Sequence, residues 1–288
     1  MQKIQNKIHR AKKSLGQNFL KSEPALKKII EVGEISPEDI ILEIGPGKGA
    51  LTKKLLEKSN YVIAIEKDTQ LFEYLQDKFI EEVKTKKLFL LNENVLDFSA
   101  SAYGLKPSTY KIIANIPYNI TGAILKKFLT EENQPSMMVL MVQHEVAKRI
   151  MGNRENPTSQ KLRGARESIL SISVKAYGTP KLEMRVPARY FSPAPKVDSA
   201  IISIKNISRN LFTSPQPSPY KGEGEYVNEK RFWDIIHAGF AHKRKKLSSN
   251  LKKILKSDEK TQKNHERLLK NKRAEELSLS DWLLLTKN

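Results

Sequence analysis

At 288 residues with 39% hydrophobic content, the chain is long enough for one large core and one small one. Its longest apolar run, "MMVLMV" at 137–142, falls far short of the roughly twenty residues that span a bilayer. The basic start "MQKIQNKIHRAKKS" lacks the apolar centre of a secretory signal, and the absence of cysteine excludes disulfides, a thiolate nucleophile and Cys-ligated zinc, so a cytoplasmic protein without a membrane segment is expected.

The net charge of +19 gathers at the two ends: residues 1–28 hold eight Lys/Arg against one acid, and residues 227–288 hold sixteen against eight. Such an arrangement suits a polyanion, because each neutralised phosphate releases counterions, and nucleic acid is the favoured partner.

After the basic arm 1–28, short β-rich runs alternate with helix-period segments from residue 40 to 142. "IILEI", "YVIAI", "LFLL", "KIIA" and "MMVLMV" read as strands, and "GALTKKLLEKS" and "TQLFEYLQDKFIEEV" as amphipathic helices. The alternation predicts an α/β domain with a mostly parallel sheet and helices on both faces. "ESILSISVKAY" and "KVDSAIISIKN" read as two further strands, which would give seven with a closing hairpin. Residues 209–226 hold three of the 14 prolines and two of the 13 glycines, and read as a linker or inserted loop. Beyond it, helical spacing returns. The expected domains are therefore 1–206, a linker at 207–228, and a small helical domain at 229–288.

Two segments carry chemistry. "ILEIGPGKGALTKKL" places Gly45, Gly47 and Gly49 between the first strand and the first helix, where backbone can approach a ligand closely. The following strand ends in "IEKD", and Glu66 stands where a carboxylate can accept from ribose hydroxyls. The spacing is G-x-G-x-G, not the G-x-G-x-x-G that cradles a pyrophosphate. S-adenosylmethionine, which carries no phosphate, fits better than a dinucleotide. Glu43, inside the first strand, is a candidate for orientation near the cofactor.

The second segment is "NIPYNITG" at 115–122, at the carboxyl edge of the fourth strand. It offers no acid, base or nucleophile. It can hold an exocyclic amine: the Asn115 side-chain oxygen and the Ile116 carbonyl would accept from the amino hydrogens and turn the lone pair out of conjugation. Pro117 fixes the local backbone, and Tyr118 offers a flat face for an extruded base.

Together with "KSLGQNFL", "VQHEVAKRI" and "FSPAPKVDSA", these segments resemble the ribosomal RNA adenine N6-dimethyltransferases, and within them the bacterial 16S rRNA enzymes associated with kasugamycin sensitivity. The resemblance runs from about Ala11 to Ile204 and more weakly into "FAHKRKKLSSNL". It implies a Rossmann-like class I S-adenosylmethionine-dependent methyltransferase sheet with a helical C-terminal domain. The implied activity is dimethylation of N6 on two adjacent adenosines near the 3′ end of 16S rRNA, in the immature small subunit, by a monomer.

By position, the resemblance implies that Asn18 and Leu20 close over the cofactor, Gly45 contacts its methionine part, and Glu66 its ribose. Asn115 would touch both cofactor and target amine, and Tyr118 and Phe191 would sandwich the target adenine. Asn94 stands where the family has an aspartate that accepts from the cofactor's adenine, a departure that weakens binding without abolishing it. Residues 153–168 also depart from the family's pattern.

Lys196, and Lys243, Arg244 and Lys245 in the basic segment, are candidate RNA contacts, against the plainer reading of a solvated basic surface. The five histidines show no ligand spacing, and no metal is assigned. The competing functions are a 23S rRNA adenine methyltransferase of the macrolide-resistance type, a DNA adenine methyltransferase, and a non-catalytic small-subunit assembly factor.

Overall fold

The computed structural model describes residues 11–12, 15–152, 166–213, 227–242, 244–255, 269 and 271–286. A two-residue strand, β1 (Phe19–Leu20), leads into α1 (Glu23–Gly33). The Ser22 side chain accepts from the Ala25 N–H to start this helix, and Ala25, Leu26, Ile29, Val32 and Gly33 form its buried stripe. Then follow β2 (Ile40–Ile44), α2 (Ala50–Leu56), β3 (Tyr61–Ile65), α3 (Thr69–Lys78), α4 (Ile80–Lys84), β4 (Leu88–Leu91), β5 (Tyr110–Asn115), α5 (Thr121–Thr130), β6 (Met137–Gln143) and α6 (His144–Met151). After them come α7 (Ile169–Tyr177), β7 (Thr179–Val186), β8 (Phe191–Ser192), β9 (Ser199–Lys205), α8 (Asn210–Thr213), α9 (Glu229–Phe240), α10 (Leu247–Leu251) and α11 (Leu279–Thr286).

Seven strands make one sheet in the order β4-β3-β2-β5-β6-β9-β7. The β3–β4, β2–β3, β2–β5 and β5–β6 pairs are parallel, and β6–β9 is antiparallel. Parallel strands covered on both faces must be apolar throughout. That is how β6 reads: Met137 to Val142 are all buried, each such side chain contributing about 1.5–3 kcal/mol. The strand order reverses between β2 and β5, so the loops leaving their carboxyl ends part there and open a crevice.

"ESILSISVKAY", expected as a strand, is a helix. These residues form α7, opened by a reciprocal capping box in which Ser168 accepts from the Ser171 N–H and Ser171 accepts from the Ser168 N–H. The β-branched Ile169, Ile172 and Val174 suggested a strand, but the run is helical, with Ile172 and Val174 buried and Ile169 exposed. The seventh strand is instead β7, "TPKLEMRV", at the sheet's edge, where charged side chains are tolerated and the apolar pattern is weak.

The chain divides into two compact units, residues 1–147 with 181–205, and residues 148–180 with 206–288. This division crosses the chain three times and assigns α7 to the second unit, where the sequence placed one boundary near residue 206. The expected linker also begins with structure, the short helix α8. Residues 153–165 and 214–226 lie outside the described residues.

In the second unit α7 packs against α8, α9 and α11. Tyr177, Phe212, Phe232 and Trp233 form an aromatic cluster, and Glu229 binds both the Tyr177 hydroxyl and Arg209. Trp282 is fully buried, stacked on Phe240 with centroids 5.6 Å apart. Gly239 makes room for it: a Cβ there would lie 2.4 Å from Trp282 Cη2.

Candidate active site

The carboxyl ends of β2, β3 and β5 and the segment Leu15–Lys21 enclose a cavity of about 660 Å³, within the range usual for small-molecule sites. Asn18, Leu20, Gly45, Glu66, Asn94, Asn115, Ile116, Pro117 and Tyr118 all line it, so nine of the ten residues expected around the cofactor and the target base converge on one space.

Gly45 and Gly47 both hold positive φ, 65° and 59°. A Cβ on Gly45 would meet only Pro117 Cδ at 3.7 Å, so this glycine leaves its backbone open toward the cavity. At Gly47 the space is filled by protein: a Cβ would lie 2.9 Å from Phe19 Cδ1. The glycine turn therefore accommodates the N-terminal segment at Gly47 and stays open at Gly45.

Glu66 leaves β3 only 6% exposed, with Oε1 accepting from the Asp68 N–H at 2.9 Å and Oε2 from the Gly47 N–H at 3.1 Å. Burial pushes its carboxyl upward, opposed by those two backbone donors. Glu43, at 1% exposed in β2, also lines the cavity, and its Oε2 has no hydrogen-bond partner. Burial, with the charge of Glu66 adding and Thr52 opposing, raises Glu43 to about 8, so it is mainly neutral at pH 7.

Asn94 uses both ends of its side chain within its own loop. Oδ1 accepts from the Leu96 N–H at 3.3 Å, and Nδ2 donates to Asp97 Oδ2 at 3.1 Å. The oxygen keeps a second lone pair for a ligand donor.

Asn115 closes β5. Its Nδ2 donates to the Asn18 carbonyl at 3.1 Å, which commits the nitrogen to protein and leaves Oδ1 as the end that can accept. Ile116 is buried, and Pro117 holds φ −60° ahead of the 3₁₀ turn Tyr118–Ile120. The half-buried Tyr118 has its hydroxyl 2.5 Å from Ser199 Oγ, and burial raises its pKa, with Ser199 opposing.

Phe191, the expected second aromatic face, is placed elsewhere. It is 2% exposed within the main core, pairs with Leu20 across β1–β8, and does not line the cavity, although its neighbour Ser192 does. Of the expected RNA contacts, Lys196, Arg244 and Lys245 are exposed, and Lys243 lies outside the described residues. The exposed Lys21, Lys48 and Lys67 line the cavity and add positive charge there.

Sequence reasoning missed Lys12, Gln17, Asp68 and Ser199, which hold the site residues in place. Three of the four stand inside quoted motifs, Gln17 in "KSLGQNFL", Asp68 in "IEKD" and Ser199 in "FSPAPKVDSA", and Lys12 directly precedes the first. Their partners are 51 to 81 residues away, beyond the reach of local pattern.

A buried carboxylate braced by two N–H groups, a glycine with an open Cβ position, and a cavity of this size fit a nucleoside-bearing ligand without a pyrophosphate cradle. Among the described residues no group of three or more His, Cys, Asp or Glu could hold a metal ion.

The family model "Ribosomal RNA adenine dimethylase" matches residues 8–288. The "Ribosomal RNA small subunit methyltransferase A" of Dehalococcoides mccartyi strain 195 is 34% identical over 279 residues, covering 96% of this chain and 87% of that protein. The crystal structure of a dimethyladenosine transferase from Plasmodium falciparum is similar with a TM-score of 0.71 and 25% identity, covering 93% of this chain and 95% of that one. The crystal structure of the 23S rRNA methyltransferase ErmE shares the fold, with a TM-score of 0.69 at 22% identity over 93% of this chain and 98% of that one. With the family model spanning nearly the whole length, this chain belongs to the ribosomal RNA adenine dimethylases.

Proposed function

We propose that the protein dimethylates N6 of two adjacent adenosines near the 3′ end of 16S rRNA, acting as a monomer on the immature small subunit in the cytoplasm with S-adenosylmethionine as donor. The carrying observation is the oriented carboxamide of Asn115, with its nitrogen held by the Asn18 carbonyl and its oxygen available at a cavity that Glu66 also lines.

Bound S-adenosylmethionine supplies a methyl group already activated on a sulfonium, so the protein's task is to prepare the nucleophile. An adenine N6 is a poor one while its lone pair is delocalised into the ring. Asn115 Oδ1 and the Ile116 carbonyl would each accept one amino hydrogen and set the lone pair toward the donor, which is positioning in place of acid–base chemistry. Glu66 would hold the ribose hydroxyls, Gly45 would let the methionine part approach the backbone, Asn94 would accept from the adenine amino group, and Asn18 and Leu20 would close over the cofactor.

The target base must leave its stack, at a cost of a few kcal/mol, and stacking on Tyr118 would return about 1–3 kcal/mol. Lys196, Arg244 and Lys245, all exposed, would contact phosphates.

The test is incubation of the purified protein with S-adenosylmethionine and either unmethylated small subunits or naked large-subunit RNA, with dimethyladenosine mapped by mass spectrometry. Modification confined to adjacent adenosines of the small subunit is expected. Modification of the large-subunit RNA alone would transfer the reading to the 23S class, and none on either would favour an assembly factor. In the same assay Asn115→Ala should lose at least about 100-fold in rate, since misplacement of a reacting group by 1 Å costs that much.

A further inference from the structure

Asp68 stands two residues beyond the ribose-side carboxylate, at the N-cap of α3, where its Oδ1 accepts from the Gln70 N–H at 3.1 Å. Its side chain is fully buried, and a cap needs only one of its oxygens. The remaining capacity is used by the N-terminal segment. Lys12 Nζ donates to Oδ1 at 2.8 Å and Gln17 Nε2 to Oδ2 at 2.9 Å, while Gln17 Oε1 accepts from the Lys12 N–H at 2.7 Å. Burial alone would raise the Asp68 carboxyl; these donors outweigh it and hold the group below its ordinary value.

The same residue faces both ligands' holders. Its N–H donates to Glu66 Oε1, and the segment it anchors carries, one residue after Gln17, the carbonyl that accepts from Asn115 Nδ2. A continuous path of bonded groups thus runs from Glu66 through Asp68, Gln17 and Asn18 to Asn115. Packing follows the same path, since Phe19 fills the space over Gly47.

We infer that Asp68 is a positioning residue which, through Gln17 and Lys12, fastens the N-terminal segment as a wall of the cofactor cavity and thereby sets the orientation of the Asn115 carboxamide. This rests on the reading of Glu66 as the cofactor's ribose acceptor and of Asn115 as the amine holder. One anchor then serves two ends: cofactor retention and nucleophile alignment rise and fall together.

The test variant is Asp68→Asn. Asparagine caps a helix as well as aspartate does, so the fold is kept while the charge is removed and an amide donor is turned against Lys12 or Gln17. Binding of S-adenosylmethionine is measured by calorimetry, exchange of the amides of Leu15–Leu20 in the cofactor-free protein by mass spectrometry, and kcat separately from KM. Loss of one hydrogen bond to a charged group should raise the cofactor Kd about ten-fold, speed exchange in Leu15–Leu20, and lower kcat. Gln17→Met should reproduce these effects, and the double variant should add little to either. An unchanged Kd and unchanged exchange in both single variants, with the melting point lowered, would reduce Asp68 to a helix cap. Loosened exchange with kcat intact would overturn the catalytic half, and normal methylation by Asn115→Ala would overturn that half together with the amine-holding reading, while the exchange result judged the wall by itself.

Discussion

The Tyr118 hydroxyl lies 2.5 Å from Ser199 Oγ, joining the loop after β5 to the first residue of β9. Ser199 is fully buried, so its hydroxyl is shielded from water and bonded to Tyr118. The bond anchors the hydroxyl end of a residue that lines the cavity.

Cutting one side of that bond should cost more than removing both. Ser199→Ala leaves the Tyr118 hydroxyl without its partner and should destabilise by about 1–3 kcal/mol, whereas adding Tyr118→Phe should recover much of the loss. Urea midpoints of the two single variants and the double variant measure this. Equal losses that simply add would mean the two hydroxyls do not depend on each other.

Glu43 makes a prediction about pH. Its carboxyl titrates near 4.5 in the unfolded chain and at about 8 in the native protein. Between those values the native state holds a proton that the unfolded state has released, so stability falls as pH rises from about 5 to 8. Glu43→Gln removes that slope. Relative to the parent, the variant should gain stability steadily between pH 5 and pH 8 in cofactor-free urea titrations, and a constant offset would show that Glu43 ionises freely.

RNA affinity should respond to the exposed pair Arg244 and Lys245. Replacing both by alanine should weaken binding without abolishing methylation at saturating substrate, and should lower the slope of log K against log salt by about 1–2, roughly 0.7–0.9 for each phosphate no longer neutralised. Titrations from low to physiological salt would reveal it. An unaltered slope would assign both side chains to solvent.

In the second unit, Gly239→Ala should be destabilising by about 1–3 kcal/mol or more, because the new methyl would press on the buried ring of Trp282. A thermal melt reads this directly, and a second substitution, Trp282→Phe, should relieve part of the loss.

Much of the sheet was legible because its central strands are buried on both faces and announce themselves as apolar runs; β2, β3, β5, β6 and β9 all fall where those runs stand. α7 was hidden by its β-branched residues, which favour strands when helix caps go unnoticed. β7 was hidden because an edge strand can be half charged. The site divides similarly. Gly45, Glu66 and Asn115 are visible because each ends or follows a strand at the edge where ligands bind. Asp68 looks like an ordinary cap until Lys12, 56 residues earlier, is seen beside it. Phe191 matched a motif by position, yet its burial was set by pairing with Leu20, which no local pattern specifies.

The order in which the chain visits its two units has a consequence for how the protein can be made or cut. Lys148–Pro180 is contributed to the second unit before β7 and β9 have been supplied to the first. A nascent chain therefore carries an unfinished sheet while α7 waits for α9 and α11, and β6 stays without its antiparallel neighbour until residue 205 emerges. No single scission yields two self-sufficient pieces: ending the gene after residue 147 forfeits β7, β8 and β9, and ending it after 205 strands α7 without its helical companions.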